Sequence, residues 1–205
     1  MNMKEIPRDS RTKNEIFQTD YQKFKDKMTW KLYWCKQWMD CIDFYKEMGF
    51  QLLATGWQSK NPLKGVHYEV RDLSYPNALG LGFESRLNIG VKLMQSGLIV
   101  ADLDEEHIPI AYDKLEPYFF RTLSVKSPSG FHVYFRCDHS FNENLLKRMD
   151  DAFGVRLFFR GRLANHYVLV PLSCVENKVY EFINKTPNLM PFSELVKEVL
   201  ANGRN

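Results

Sequence analysis

The chain has 205 residues, 44% of them apolar and 14% aromatic, enough for one core of moderate size or one core with an appended helix. A formal net charge of +3 permits a nucleic-acid partner without demanding one. No apolar run of about 18 residues occurs, which excludes a membrane-spanning helix. The four cysteines, with no Cys-x-x-Cys and no leader peptide ahead of them, point to a reduced cytoplasmic setting rather than a disulfide framework.

Residues 1–12 are polar and aperiodic and predict a frayed start. From Asn14 to Lys27, Ile16, Phe17, Tyr21 and Phe24 recur at helix-like spacing. Thr29 can cap a stronger helix from Trp30 to Met48, ended by Gly49. Its stripe of Tyr33, Trp34, Trp38, Cys41, Ile42 and Tyr45 predicts core packing rather than a base-stacking platform. A short strand is expected over Phe50–Ala54. The segment Gly56–Tyr75 then reads as a loop carrying Lys60, Lys64 and Arg71 among the breakers Pro62 and Gly65. Asn88–Leu93 predicts a strand that turns through Gln95-Ser96-Gly97 and pairs with the segment after it.

That segment, Gly97 to Glu106, is an apolar strand ending in Asp102-Leu103-Asp104. Strand side chains alternate, so Asp102 and Asp104 share one face and Leu103 points back. Two carboxylates about 7 Å apart along a strand repel each other unless a cation lies between them. Mg²⁺ or Mn²⁺ suits that position and commonly carries substrate phosphates. The same pattern also describes a strand that simply runs into an acidic solvated turn.

A short helix is expected over Ala111–Phe119. Thr122 to Phe135 reads as strand, tight Pro128-Ser129-Gly130 turn, strand. His132 opens the second strand and shares a face with Tyr134, away from Val133 and Phe135. There it can donate to a phosphate oxygen, with the Ser129 and Gly130 backbone N–H groups nearby, or stand as a surface histidine at a hairpin shoulder. A helix is expected over Asn142–Phe153. Val155–Arg160 and His166–Pro171 are expected to pair through the basic turn at Gly161–Asn165. A last strand at Val179–Phe182 and a closing helix at Pro191–Ala201 complete an α+β chain: a mixed or antiparallel sheet with packed helices. Cys137 with His139, and Cys35 with Cys41, are poorly spaced for zinc, so zinc is not expected.

In order, these motifs resemble the primase–polymerase domain of the archaeo-eukaryotic primase superfamily, in the short form carried by archaeal and bacterial plasmids, viruses and mobile elements. The resemblance runs from about residue 42 to 183. It rests on Tyr45 to Leu53 with the internal Gly49-Phe50, the lysine-proline loop Ser59–Gly65, and Asn88-Ile89-Gly90-Val91. Asp102-x-Asp104, Ser129-Gly130-Phe131-His132 and Tyr167-Val168-Leu169-Val170-Pro171-Leu172-Ser173 complete it. It implies a prim-pol core over 42–205, with an RRM-like catalytic half, and a tail and helices over 1–41 as a possible docking element.

The same resemblance implies that Asp102 and Asp104 bind two divalent ions, Mg²⁺ or Mn²⁺, and that His132 contacts the phosphates of the incoming nucleotide. Lys60, Ser129, Gly130 and Arg160 would join in nucleotide binding, with Arg156 and Arg162 near the site. The activity implied is template-dependent nucleotidyl transfer on single-stranded DNA from nucleoside triphosphates, serving replication of a mobile element. No Gly-x-x-x-x-Gly-Lys-Ser/Thr occurs, so a helicase or replication initiator would be a separate partner.

One departure stands out. The family supplies a third metal-binding acid on the strand before Tyr167, where this chain reads Val155-Arg156-Leu157-Phe158-Phe159-Arg160. Three routes stay open: Asp150 or Asp151 reaching in from the preceding helix, Glu105 or Glu106 from beyond the metal strand, or a site that binds metal weakly. The third would make this a primase-fold protein that binds single-stranded DNA or a replication partner. A metal-dependent nuclease or phosphatase reusing Asp-x-Asp and His is the remaining alternative.

Overall fold

A computed structural model of the chain describes residues 36–56, 58–60, 88–138, 143–159 and 166–202. The chain forms two compact units, Met1–Gln37 and Trp38–Asn205, and the first lies almost wholly outside the described residues. The expected start at 1–12, the helix at Asn14–Lys27, the Thr29 cap, most of the 56–75 loop and the basic turn at 161–165 also lie outside them.

Helix α1, described over 36–47, buries Trp38, Cys41, Ile42 and Tyr45, so the described part of the aromatic stripe is core, while Tyr33 and Trp34 lie outside the described residues. Gly49 ends it at φ +68°, a conformation that costs a residue with a Cβ. The Phe50 N–H reaches the Tyr45 carbonyl and the Gly49 N–H the Lys46 carbonyl, both at 3.0 Å, which is a Schellman cap.

Strands β1 (Leu52–Thr55), β2 (Asn88–Lys92) and β7 (Tyr167–Leu169) make an antiparallel sheet in the order β1-β2-β7. A second antiparallel sheet is ordered β10-β4-β5-β3-β6, with β3 at Leu98–Asp104, β4 at Ser124–Ser127, β5 at Gly130–Arg136, β6 at Phe158–Phe159 and β10 at Glu181–Asn184. Strands β8 (Cys174–Val175) and β9 (Lys178–Val179) form a small hairpin. Helices α2 (Ile108–Leu115), α3 (Glu143–Phe153) and α4 (Phe192–Asn202) complete an α+β fold.

The five-stranded sheet has two different faces. Ile99, Ala101 and Leu103 of β3 join Val133 and Phe135 of β5 in a core with Leu115, Met149, Phe153 and Leu195 from the helices. Val100, Asp102 and Asp104 turn the other way, as strand alternation requires. On that side the Tyr45 hydroxyl donates to the Pro171 carbonyl at 3.1 Å, and Phe44 and Tyr45 set their rings against Phe182 of β10.

The pairing of the acidic strand differs from the sequence expectation. Residues 94–97 do not fold β2 back on β3; the two strands belong to different sheets. Ser96 N–H bonds the Lys92 carbonyl and Leu98 N–H the Leu93 carbonyl, so one tight turn redirects the chain. Gly97 at φ +64° completes it, and the Ser96 hydroxyl accepts the Gln51 N–H at 2.9 Å. The expected pairing of the segments at 155–160 and 166–171 is also corrected. β6 adds to the free edge of β3, with Ala101 opposite Phe158, while β7 adds to β2, with Val91 opposite Val168. Each half finds an open edge in a different sheet, and those ladders outcompete a local hairpin.

The expected helix at 111–119 starts earlier. A 3-10 turn at Glu105–His107 leads into α2, Pro109 stands in its first turn where no N–H is needed, and a second 3-10 turn covers Glu116–Tyr118. The β8–β9 hairpin was not expected. Glu176 and Asn177 at φ +52° and +61° give it the two left-handed residues of a tight hairpin turn.

Asn88 is the tie between the β1 side and the segment after β7. It is fully buried, and its Nδ2 donates to the carbonyls of Cys174 (2.8 Å), Ser59 (3.1 Å) and Gly56 (3.2 Å). Its Oδ1 accepts the Cys174 N–H at 2.8 Å. Replacing it by Ala leaves those groups unsatisfied in the interior. Asn88→Ala should cost about 3 kcal/mol or more in denaturant unfolding, against under about 0.5 kcal/mol for an exposed control such as Lys36→Ala.

Candidate active site

Strand β3 lies between β5 and β6, and its register with β5 sets Asp102 opposite His132 and Asp104 opposite Gly130. Directly opposed residues share a face, so the carboxylates and the imidazole converge. His132 Nε2 lies 3.2 Å from Asp102 Oδ1. The Tyr134 hydroxyl lies 3.4 Å from His132 Nδ1, so both ring nitrogens have neighbours. His132 is 6% exposed, which removes the reading of a surface histidine at the hairpin shoulder.

The turn ahead of His132 is built on a close approach. Gly130 passes so near β3 that an added Cβ would lie 1.8 Å from the Leu103 carbonyl oxygen. The Ser129 hydroxyl donates to Asp104 Oδ1 at 3.2 Å. Lys60 is exposed at the end of the described β1 loop, whose backbone is fixed on both sides. Ser59 O accepts from Thr55 Oγ1 and Asn88 Nδ2, each at 3.1 Å, and Lys60 O accepts from the Tyr167 hydroxyl.

The electrostatics join these parts. Burial pushes the Asp102 carboxyl up, but the His132 hydrogen bond and charge, with Lys60 and His107, more than offset that and hold its pKa below the usual value. Lys60 therefore acts on the carboxylate side of the site although it comes from the other sheet. Burial, then the Asp102 charge, pushes the Tyr134 phenol well up, so it stays neutral.

Two residues near the carboxylates carried no signal in the sequence. Tyr180, between β9 and β10, sets its ring 5.8 Å from the His132 ring. His107, in the turn just past β3, has Nε2 3.5 Å from Glu106 and a buried Nδ1 with no hydrogen-bond partner. A lone histidine in an acidic turn and a tyrosine between short strands look ordinary in sequence; only the fold brings them here.

Of the acids considered for a third ligand, Asp150 is engaged by backbone and the others are exposed. Asp150 Oδ1 accepts the Leu157 and Phe158 N–H groups at 2.8 and 3.0 Å and so caps the chain's entry into β6. Asp151 is exposed on α3, and the Glu106 side chain is largely in solvent beside His107. Leu157, whose carbonyl accepts the Asp102 N–H at 2.9 Å, is fully buried in the core. Arg160 and Arg162 lie outside the described residues. Among the described residues no group of three or more His, Cys, Asp or Glu is arranged to hold a metal ion. Asp102 and Asp104 still fit a Mg²⁺-type ion, which needs only one or two carboxylates when substrate phosphates and water complete its shell.

The sequence model of the family described as "Bifunctional DNA primase/polymerase, N-terminal" matches residues 42–197. The chain belongs to this family. The match takes in both sheets, from within α1 to within α4, and every described residue of the site. No curated protein matches the chain. Membership gives a primase/polymerase family setting, with DNA and nucleotides as its substrates and nucleotidyl transfer as its class of chemistry. No helix among the described residues is long and apolar enough to cross a membrane.

Proposed function

We propose that this prim-pol domain extends or primes a strand on single-stranded DNA, joining nucleoside triphosphates with Asp102, Asp104 and His132 as its working residues. The observation that carries this reading is the convergence of two carboxylates and a buried histidine on one face of β3 and β5, opposite the core. Asp102 and Asp104 would hold the divalent ions, Mg²⁺ or Mn²⁺. Such ions lower the pKa of an attacking 3′-hydroxyl and stabilise the departing pyrophosphate.

The chain's own residues do the rest. His132 would turn its Nε2–H from Asp102 to a phosphate oxygen of the incoming nucleotide, and the flanking Tyr134 and Tyr180 rings fix its plane. Ser129 orients Asp104, and Gly130 lets the hairpin turn approach the strand closely enough to do so. Lys60 supplies positive charge on the nucleotide side, and Arg160 is assigned to the same task from the sequence. A separate helicase or replication initiator would supply unwound template.

A second reading is a primase-fold module that binds single-stranded DNA with little or no synthesis. The lack of a third acid beside Asp102 and Asp104 among the described residues favours it. The test is de novo priming and primer extension on single-stranded DNA with Mn²⁺ or Mg²⁺ and all nucleotides. Product supports the first reading; retained DNA binding without product supports the second. Under the first, His132→Ala should weaken nucleotide binding by roughly tenfold with DNA affinity unchanged, since one charge-assisted hydrogen bond is lost. Equal loss of both would remove His132 from its assigned role.

A further inference from the structure

In the proposed chemistry Tyr180 serves only through its ring, which flanks His132, and its hydroxyl has no assigned use. Its ring is 4% exposed and packed on His132. Its position is set by the backbone, because the Tyr180 N–H bonds the Ser173 carbonyl at 3.0 Å where the chain leaves the β8–β9 hairpin for β10. Its hydroxyl has no hydrogen-bond partner among the described residues. The oxygen itself is not fully buried, so an incoming ligand can reach it.

The carboxylates nearest in effect, Asp102 and Asp104, already take hydrogen bonds from His132 and Ser129. Burial first, then the charges of those two acids, raise the Tyr180 pKa and keep the phenol protonated. The result is a neutral donor whose ring is held against the histidine, with its acceptor still to arrive. An anionic oxygen drawn in beside His132 supplies one.

We propose that Tyr180 is a further nucleotide-binding residue, its hydroxyl donating to a phosphate oxygen of the triphosphate that lies against His132. This rests on the nucleotide-binding role proposed for the same site. The test is calorimetric titration of the full chain with ATP and with dATP in the presence of Mn²⁺, comparing wild type with Tyr180→Phe, which keeps the ring on His132. Nucleotide affinity should fall by about five- to tenfold. Affinity for Mn²⁺ alone and for a single-stranded oligonucleotide, and the melting temperature, should not change.

Wild-type nucleotide affinity in the Phe variant overturns the proposal and leaves the wider reading standing. A matching loss for Mn²⁺ alone also overturns it, because the hydroxyl would then serve the carboxylates. Wild-type protein that takes up neither nucleotide overturns both.

Discussion

Replacing Asp102 and Asp104 together by Asn should cut nucleotide incorporation by about a thousandfold or more while the protein stays folded with a melting temperature at most modestly lower. The large loss follows from the several kcal/mol that carboxylate-held metal ions contribute to a transition state of phosphoryl transfer, at about 1.4 kcal/mol per factor of ten. The retained stability follows from the site's face. Neither side chain belongs to the helix-covered core, and the loss is confined to the charge of Asp102, which His132 and Lys60 favour at a partly exposed position. Asn keeps a carbonyl oxygen for His132 at position 102 and for Ser129 at 104, so the local hydrogen bonds survive. Primer extension beside thermal melts checks both halves. A variant that unfolds would make the pair a structural element and remove its claim to chemistry.

Gly130→Ala should be the most damaging alanine substitution among the glycines compared within the described residues, costing about 3 kcal/mol or more. The obstacle is backbone: the new Cβ would stand 1.8 Å from the Leu103 carbonyl oxygen and 3.1 Å from the Asp104 Cα. No rotamer relieves this, so β5 must part from β3 at the rung where Asp104 faces Gly130. The same displacement carries Ser129 away from Asp104 and shifts His132 two residues on. Urea denaturation should show the loss, and any folded fraction should bind nucleotide poorly. Gly49→Ala is the useful comparison, since nothing lies within 4 Å of its Cβ and only the φ of +68° resists the change. If the two cost the same, the close approach at Gly130 is not what demands glycine there.

Much of the site was legible because strand geometry is simple. Alternation alone places Asp102 with Asp104, and His132 with Tyr134, and the structure keeps both groupings. The α+β class was equally readable, since helix-spaced and strand-spaced segments are interspersed. Partner choice was not. The turn after β2 carries Ser96 and Gly97 and looks like a hairpin, yet Ser96 binds Gln51 from a distant strand and the chain leaves for another sheet. The β6 and β7 segments likewise each pair with an edge far away in sequence. Such choices depend on which edges other strands leave open, which no local window contains. For the same reason Asn88 was visible only as part of a motif. Its four hydrogen bonds reach two segments that lie about 30 and 86 residues away.

The two-faced character of β3 bears on how this protein can change. Odd-numbered side chains from Ile99 to Leu103 anchor the helices, whereas Asp102 and Asp104 lie on the opposite face, the one proposed to meet substrate. Substitutions on the apolar side can be absorbed by neighbouring core residues without altering the chemistry, and those on the acidic side can retune the chemistry with little effect on folding. Mutational drift in one property is therefore largely decoupled from drift in the other over Asp102 to Asp104, whereas Leu98 and Val100 on the acidic face are fully buried and tied to folding. The exception is the backbone of Asp102, whose N–H is tied to Leu157. Through that link a repacked β6 would tilt the carboxylate, so variation in catalytic rate without any change at the acids should be sought there first.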